Sequence, residues 1–169
     1  IIELLLKSDF MNEILKAFKN DDLVAVKILR TDADRQSLIG EASKLKLANK
    51  IGVGPKLIGV RDKVLVMEYV EGEPIIEFLR NAVSLEKHRE IINVIRESLI
   101  QAFKLDQVGL NHGELSYADK HIRVEKHGKI TIIDFESSSI LRKSSNLTAI
   151  LQYFLIRNPY SHKIREILG

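Results

Sequence analysis

Residues 23–29 read Leu-Val-Ala-Val-Lys-Ile-Leu, a nearly continuous apolar run broken by one lysine, Lys27. Its β-branched residues and its apolarity predict a buried strand. A lysine within such a strand must either snorkel to water or meet an anion, because an isolated buried ammonium is expensive. Leu38, Glu41, Leu45 and Ala48 then recur at spacings of three and four, which predicts a helix with one apolar face. Thr31 or Asp32 is the expected cap of that helix, and it ends before Ile-Gly-Val-Gly-Pro at 51–55. Glu41 lies on the apolar stripe and needs a partner as much as Lys27 does. Either the two pair, or each reaches solvent separately at an edge.

Working outward, Ile-Ile-Glu-Leu-Leu-Leu-Lys at 1–7 reads as strand or helix, and Ile-Leu-Lys-Ala-Phe at 14–18 is equally ambiguous. Lys-Asn-Asp-Asp at 19–22 signals a turn. Segments 57–60 and 64–70 read as two strands joined by a tight Arg-Asp-Lys turn, and 71–74 as a loop. A short helix is expected over 75–81 and a long one within 85–107. His-Ile-Arg-Val-Glu and Lys-Ile-Thr-Ile-Ile-Asp flank His127-Gly128 as a hairpin, with Asp134 ending its second strand. The stretch 140–168 reads as mostly helical with a break near Asn158-Pro159. A strand-rich part with one helix is thus followed by a helical part with one hairpin. That order predicts an α+β fold of two unequal lobes joined near 68–74, with a ligand cleft between them.

Composition sets the outer limits. The chain has 169 residues, 45% hydrophobic and 29% charged, which excludes a disordered chain. It has no cysteine, so disulfide scaffolds, thiolate zinc sites and cysteine nucleophiles are excluded. The first residue is Ile1, which implies further residues upstream. No apolar run approaches the roughly 18 residues that span a bilayer. A net charge of +3 permits binding to RNA or other polyanions without predicting it.

Three further residues stand out. Asp134, before a loop, can hold a hard cation through oxygen or cap the turn at 137–139. His112 reads as structural. Glu114 can serve as a general base, as a metal-associated carboxylate or as a plain turn residue.

In order, Val-Ala-Val-Lys, a helical Glu, Leu-Val-Met-Glu-Tyr-Val-Glu-Gly-Glu-Pro, His-Gly-Glu-Leu and Ile-Thr-Ile-Ile-Asp-Phe-Glu resemble the protein-kinase-like superfamily. The stretch after Asp134 is short and lacks Ala-Pro-Glu. The chain is therefore most similar to the minimal atypical kinases, the RIO group and the small archaeal-type kinase of the tRNA threonylcarbamoyladenosine complex. The resemblance implies a two-lobed kinase-like fold: residues 1–70 as an N-lobe with an antiparallel sheet and the Glu41 helix, and 71–169 as a reduced, mainly helical C-lobe. It implies that Lys27, held by Glu41, contacts ATP phosphates. The Glu68 carbonyl and the Val70 amide would hydrogen-bond adenine, with Met67 behind it. Asp134 would bind Mg2+, and Glu114 would accept the proton of the substrate hydroxyl.

Three departures accompany the resemblance. The expected phosphate loop, Ser-Asp-Phe-Met-Asn-Glu at 8–13, has no glycine, and Asp9 would repel phosphate if it faced inward. Glu114 replaces an aspartate, moving the carboxylate by about 1.5 Å, one C–C bond. The second metal ligand is ambiguous. Counting forward from Glu114 gives Asp119, and counting back from Asp134 gives His121; Lys120 reaching in with its own charge is a third option. Imidazole suits magnesium poorly, whereas a carboxylate suits it well. The implied function is an atypical Ser/Thr protein kinase-like domain, cytoplasmic, that transfers the γ-phosphoryl group of ATP slowly to a protein hydroxyl. The alternative is a pseudokinase serving as a binding scaffold. Protein partners are expected, RNA is a further candidate, and a membrane is not.

Overall fold

The structure, a computed structural model, describes residues 13–19, 22–29 and 37–169. The expectations for 1–7, for the loop at 8–12 with Asp9, and for Thr31 and Asp32 as caps fall outside these residues.

Two strands, β1 (Glu13–Lys19) and β2 (Asp22–Ile28), pair antiparallel from Glu13↔Ile28 to Lys19↔Asp22. The ambiguous segment 14–18 is therefore a strand. Helix α1 (Ile39–Lys50) follows, with Leu38 at its N-cap position, and then β3 (Leu57–Arg61) and β4 (Val64–Glu68). The sheet order is β1-β2-β4-β3, which makes β2 an interior strand with Lys27 opposite Leu65 of β4. Alternation along a strand puts Lys27 on the same face as Ala25 and Leu29. That face is covered by α1: Leu29 and Leu65 form a small buried cluster with Leu38 and Ala42.

Strand β5 (Glu73–Pro74) leads into α2 (Ile75–Ser84), then α3 (His88–Gln107). A short hairpin, β6 (Ile122–Val124) and β7 (Ile130–Ile132), pairs with β5 in a three-stranded antiparallel sheet. Helix α4 (Asn146–Gln152) continues through a wide π-type turn at Tyr153–Arg157 and is followed by α5 (Ser161–Leu168). Residues 140–145 are not helical, unlike the expectation from composition. The Lys143 carbonyl in this stretch instead accepts the Asn111 side-chain amide at 2.7 Å. Asp106 at the end of α3 accepts the N–H of Asn146 (2.9 Å) and of Leu147 (2.9 Å) and also the Ser144 hydroxyl, so a side chain from another helix caps α4.

The main core joins the two halves. Leu45, Ala48 and Val53 from α1 and its following loop pack in one cluster with α2, α3, α4 and Phe135. The loop is shaped by Asn49, whose amide donates to the carbonyls of Val53 (3.1 Å) and Pro55 (2.9 Å) while its oxygen accepts Leu57 N–H (2.8 Å). Gly54 in that loop has φ +80, and a Cβ there would lie 2.8 Å from Phe135 Cε2. The backbone therefore presses directly on the ring that follows Asp134. This mixed architecture of antiparallel sheets and helices is that of a small kinase-like fold. Among the described residues no helix is long and apolar enough to cross a membrane.

Candidate functional site

Lys27 is 2% exposed, and three carboxylates surround it. Its Nζ donates to Glu41 Oε1 at 2.9 Å, Asp134 Oδ1 at 3.1 Å and Glu136 Oε2 at 3.0 Å. The pairing of Lys27 with Glu41 follows from the fold: β2 turns the lysine toward α1, and the apolar stripe of α1 carries Glu41 beneath it. Burial opposes the charged ammonium, but the charges of Asp134 and Glu41 outweigh it and hold the Lys27 pKa above its ordinary value. Burial likewise pushes the Asp134 carboxyl up, and the Lys27 charge outweighs it, so that Asp134 lies below the usual carboxylate value.

Asp134 does not end a strand as the sequence suggested. Strand β7 stops at Ile132, and Asp134 lies two residues on, with φ +66. A non-glycine residue in this left-handed region is held there by its surroundings. Ile133 supplies the hold: its N–H donates to the His121 carbonyl at 2.9 Å, and its own carbonyl lies 3.0 Å from His112 Nε2. On the other side Phe135 is 2% exposed and meets the His112 ring edge-on at 5.2 Å.

His112 is fully buried, and burial lowers its pKa to about 4, so the ring is neutral at neutral pH. A neutral ring facing a carbonyl through Nε2 must carry its proton there. Its backbone N–H donates to Asn146 Oδ1 at 2.8 Å. The structural reading of this histidine agrees with that setting.

Glu114, His121 and Asp134 converge, with one ligand atom from each lying within 4.8 Å of the others. His121 Nε2 lies 3.9 Å from Glu114 Oε2. Asp119 is not in this group. Its Oδ1 accepts the Tyr153 hydroxyl at 2.7 Å, and burial together with Asp119 raises the pKa of that phenol. Lys120 is exposed. Glu68 ends β4; its backbone N–H donates to Lys56 at 2.9 Å, and its carboxylate accepts Lys56 N–H at 3.1 Å. Val70 follows it half-buried, and Met67 packs against the main core.

Two basic and acidic contacts escape the reading of motifs. Glu136 is in ion-pair contact with Lys27, and Lys44 on α1 donates to the Glu136 carbonyl at 3.3 Å. A carboxylate two positions after Asp134 is the signal for the first. No pattern in the sequence marks the second.

The family model described as RIO domain matches residues 16–152. The chain is also 32% identical over 104 residues to KEOPS complex subunit Bud32 of Pyrococcus abyssi (strain GE5 / Orsay). That match covers 60% of this chain and 44% of the relative, so it spans less than half of the relative's length.

Proposed function

Because this chain belongs to the RIO-domain family, we propose that it binds ATP in a crevice between an N-lobe (1–70) and a helical C-lobe (71–169). There it transfers the γ-phosphoryl group slowly to a protein hydroxyl, as an atypical Ser/Thr kinase. The observation that carries the proposal is the buried Lys27 ammonium, held 2.9 Å from Glu41 and turned toward Asp134. Phosphoryl transfer requires little covalent work from a protein; it requires fixed positive charge and positioning.

In this proposal Lys27 orients the ATP phosphates and Glu41 fixes the lysine. The Glu68 carbonyl and Val70 amide hold adenine against Met67. Glu114 accepts the proton of the acceptor hydroxyl at its carboxylate. The donor set of Glu114, His121 and Asp134 fits a divalent cation, Mg2+ by family habit, which when bound neutralises phosphate charge. Asp119 is occupied by Tyr153 and plays its part through the fold. The named relative is a subunit of a complex, and we extend that to this chain as a need for protein partners. We also infer a cytoplasmic location, in keeping with an ATP-dependent activity.

A second reading, a pseudokinase scaffold, is favoured by one observation. Lys27 is already engaged by three carboxylates, so its charge is largely spent without nucleotide. Two measurements separate the readings. Thermal shift with ATP and divalent cation tests binding, and Lys27→Met should abolish it. Transfer of radiolabelled phosphate tests chemistry across wild type, Glu114→Asp and Glu114→Ala. Transfer that survives in wild type and is lost in Glu114→Ala supports the kinase. ATP binding without transfer in any form supports the scaffold.

A further inference from the structure

Helix α3 is apolar on two sides. Its core-facing stripe, with Ile91, Val94, Ile95, Ala102 and Leu105, is buried. A second stripe, Ile92, Leu99 and Phe103 with Ile100 beside it, lies one residue on and so about 100° round the helix. Among the described residues no element covers this second stripe. Ile92, Ile100 and Phe103, together with Leu168 of α5, remain between 41% and 50% exposed. With Leu99 and with Leu147 of α4 they line an open groove of about 530 Å3. Single exposed apolar side chains are ordinary, but a continuous apolar groove marks an interaction surface.

Shape and charge together define what fits there. A groove running beside a helix, with apolar anchors at spacings of seven and four, receives the apolar ridge of another helix. Arg96 is the charged member of the lining, and Arg89 and Lys104 lie on the same outer edge of α3 toward its two ends. Glu97, 3.4 Å from Arg96, offsets one of these three charges, and across an exposed pair it does so weakly. The edge is therefore basic. A second copy of this chain fits it poorly, because antiparallel self-packing about the middle of α3 would bring the two copies of Arg96 within one helical turn of each other. A helix with carboxylates beside its apolar face answers both features. We propose that this groove on α3 docks an acidic amphipathic helix of a partner protein. The existence of a protein partner rests on the reading above, since the named relative is a subunit of a complex; the helical shape and the sign of its charge rest on the groove alone.

The test uses the full chain and a designed peptide as probe, a helix of about 18 residues with leucines three and four apart and glutamates on both flanks. A control peptide keeps the leucines and replaces every glutamate by lysine. Fluorescence anisotropy should show the acidic peptide binding about tenfold tighter than the basic one, with the difference shrinking as salt is raised. Phe103→Glu should weaken acidic-peptide binding by about tenfold or more. Arg96→Glu should shift the preference toward the basic peptide. Leu85→Glu, at an exposed apolar residue outside the groove, should leave both affinities as they are. Circular dichroism melts confirm that the variants fold. Binding of neither peptide, equal binding of both, binding unaffected by Phe103→Glu, or an unchanged preference in Arg96→Glu overturns the inference. Light scattering across protein concentration tests the other occupant: a dimer that Phe103→Glu dissociates assigns the groove to a second copy and overturns the inference as well. ATP binding lost in Lys27→Met is scored separately. Selective peptide binding without ATP binding upholds the docking groove and overturns the nucleotide reading, whereas ATP binding without peptide selectivity overturns this inference alone.

Discussion

Lys27 Nζ lies 2.9 Å from Glu41 Oε1, and the two side chains are 3% and 4% exposed. A pair this dry is a poor source of net stability, because desolvation consumes most of the attraction. Its value is in position: it fixes an ammonium on an interior strand facing Asp134. Breaking it from one side is costly, since the remaining charge stays buried.

Lys27→Met should therefore destabilise the chain by about 3–5 kcal/mol, because Glu41, Asp134 and Glu136 lose their shared cation. Adding Glu41→Leu should recover a large part of that loss. Urea denaturation of both variants measures this, and equal loss in the single and double variants would show that the pair is not a coupled unit.

Glu136 contacts Lys27 at 3.0 Å and competes with any phosphate for the same ammonium. Glu136→Gln should tighten ATP binding on the order of tenfold, about 1.4 kcal/mol. Calorimetric titration with ATP checks it. Weaker binding in the variant would show that Glu136 supports the nucleotide site instead.

Asp106 gives a pH prediction. Burial pushes its carboxyl up, but the Ser144 hydroxyl and the backbone N–H groups of Leu147 and Asn146 outweigh it and hold the pKa below the ordinary value. A depressed carboxylate adds stability that is present above the unfolded pKa, near 3.9, and is lost as pH falls through the folded one. Asp106→Asn should cost roughly 1–2 kcal/mol at neutral pH. The gap to wild type should close in acid, below the ordinary carboxylate range. Melting temperatures of both proteins across that range check it, and a constant gap would place the loss elsewhere.

Gly54→Ala should act at a distance on the site. The new methyl would meet Phe135 Cε2 at 2.8 Å and Leu45 Cδ1 at 3.1 Å, on a backbone already at φ +80. Overpacking of this kind costs about 1–3 kcal/mol. Because Phe135 adjoins Asp134, divalent-cation affinity should fall along with stability. A melt and a Mn2+ titration on the same preparation check both, and full cation affinity in a destabilised variant would show that the ring does not position Asp134.

The parts of this fold that can be read from sequence are those where a residue has few ways to be satisfied. A lysine and a glutamate on two apolar stripes have one economical arrangement, and the fold adopts it. Segment 14–18 lacks a period of its own and becomes a strand only through its pairing with β2. Asp134 looks like the end of a strand because Ile-Thr-Ile-Ile precedes it. The strand cannot run that far because Asp134 itself takes a left-handed backbone, φ +66, just past the last ladder bond, from Ile133 N–H to the His121 carbonyl. Counting along the chain cannot say which of Asp119 and His121 approaches Asp134. The partner that draws Asp119 aside, Tyr153, is 34 residues away in sequence. Glu136 carries no mark of its own in the sequence beyond its place two residues after Asp134, and its carboxylate reaches Lys27 at 3.0 Å.

The backbone of Ile133 is tied on both sides, to His121 through its N–H and to His112 through its carbonyl. The stretch beyond it is anchored as well: the Phe135 ring is buried, and Ser139 exchanges two backbone hydrogen bonds with Asn111 at 2.8 and 2.9 Å. Asp134 therefore makes its left-handed turn between two fixed points. Its carboxylate is held in place by the frame around it, so little ordering would remain for a bound ligand to impose.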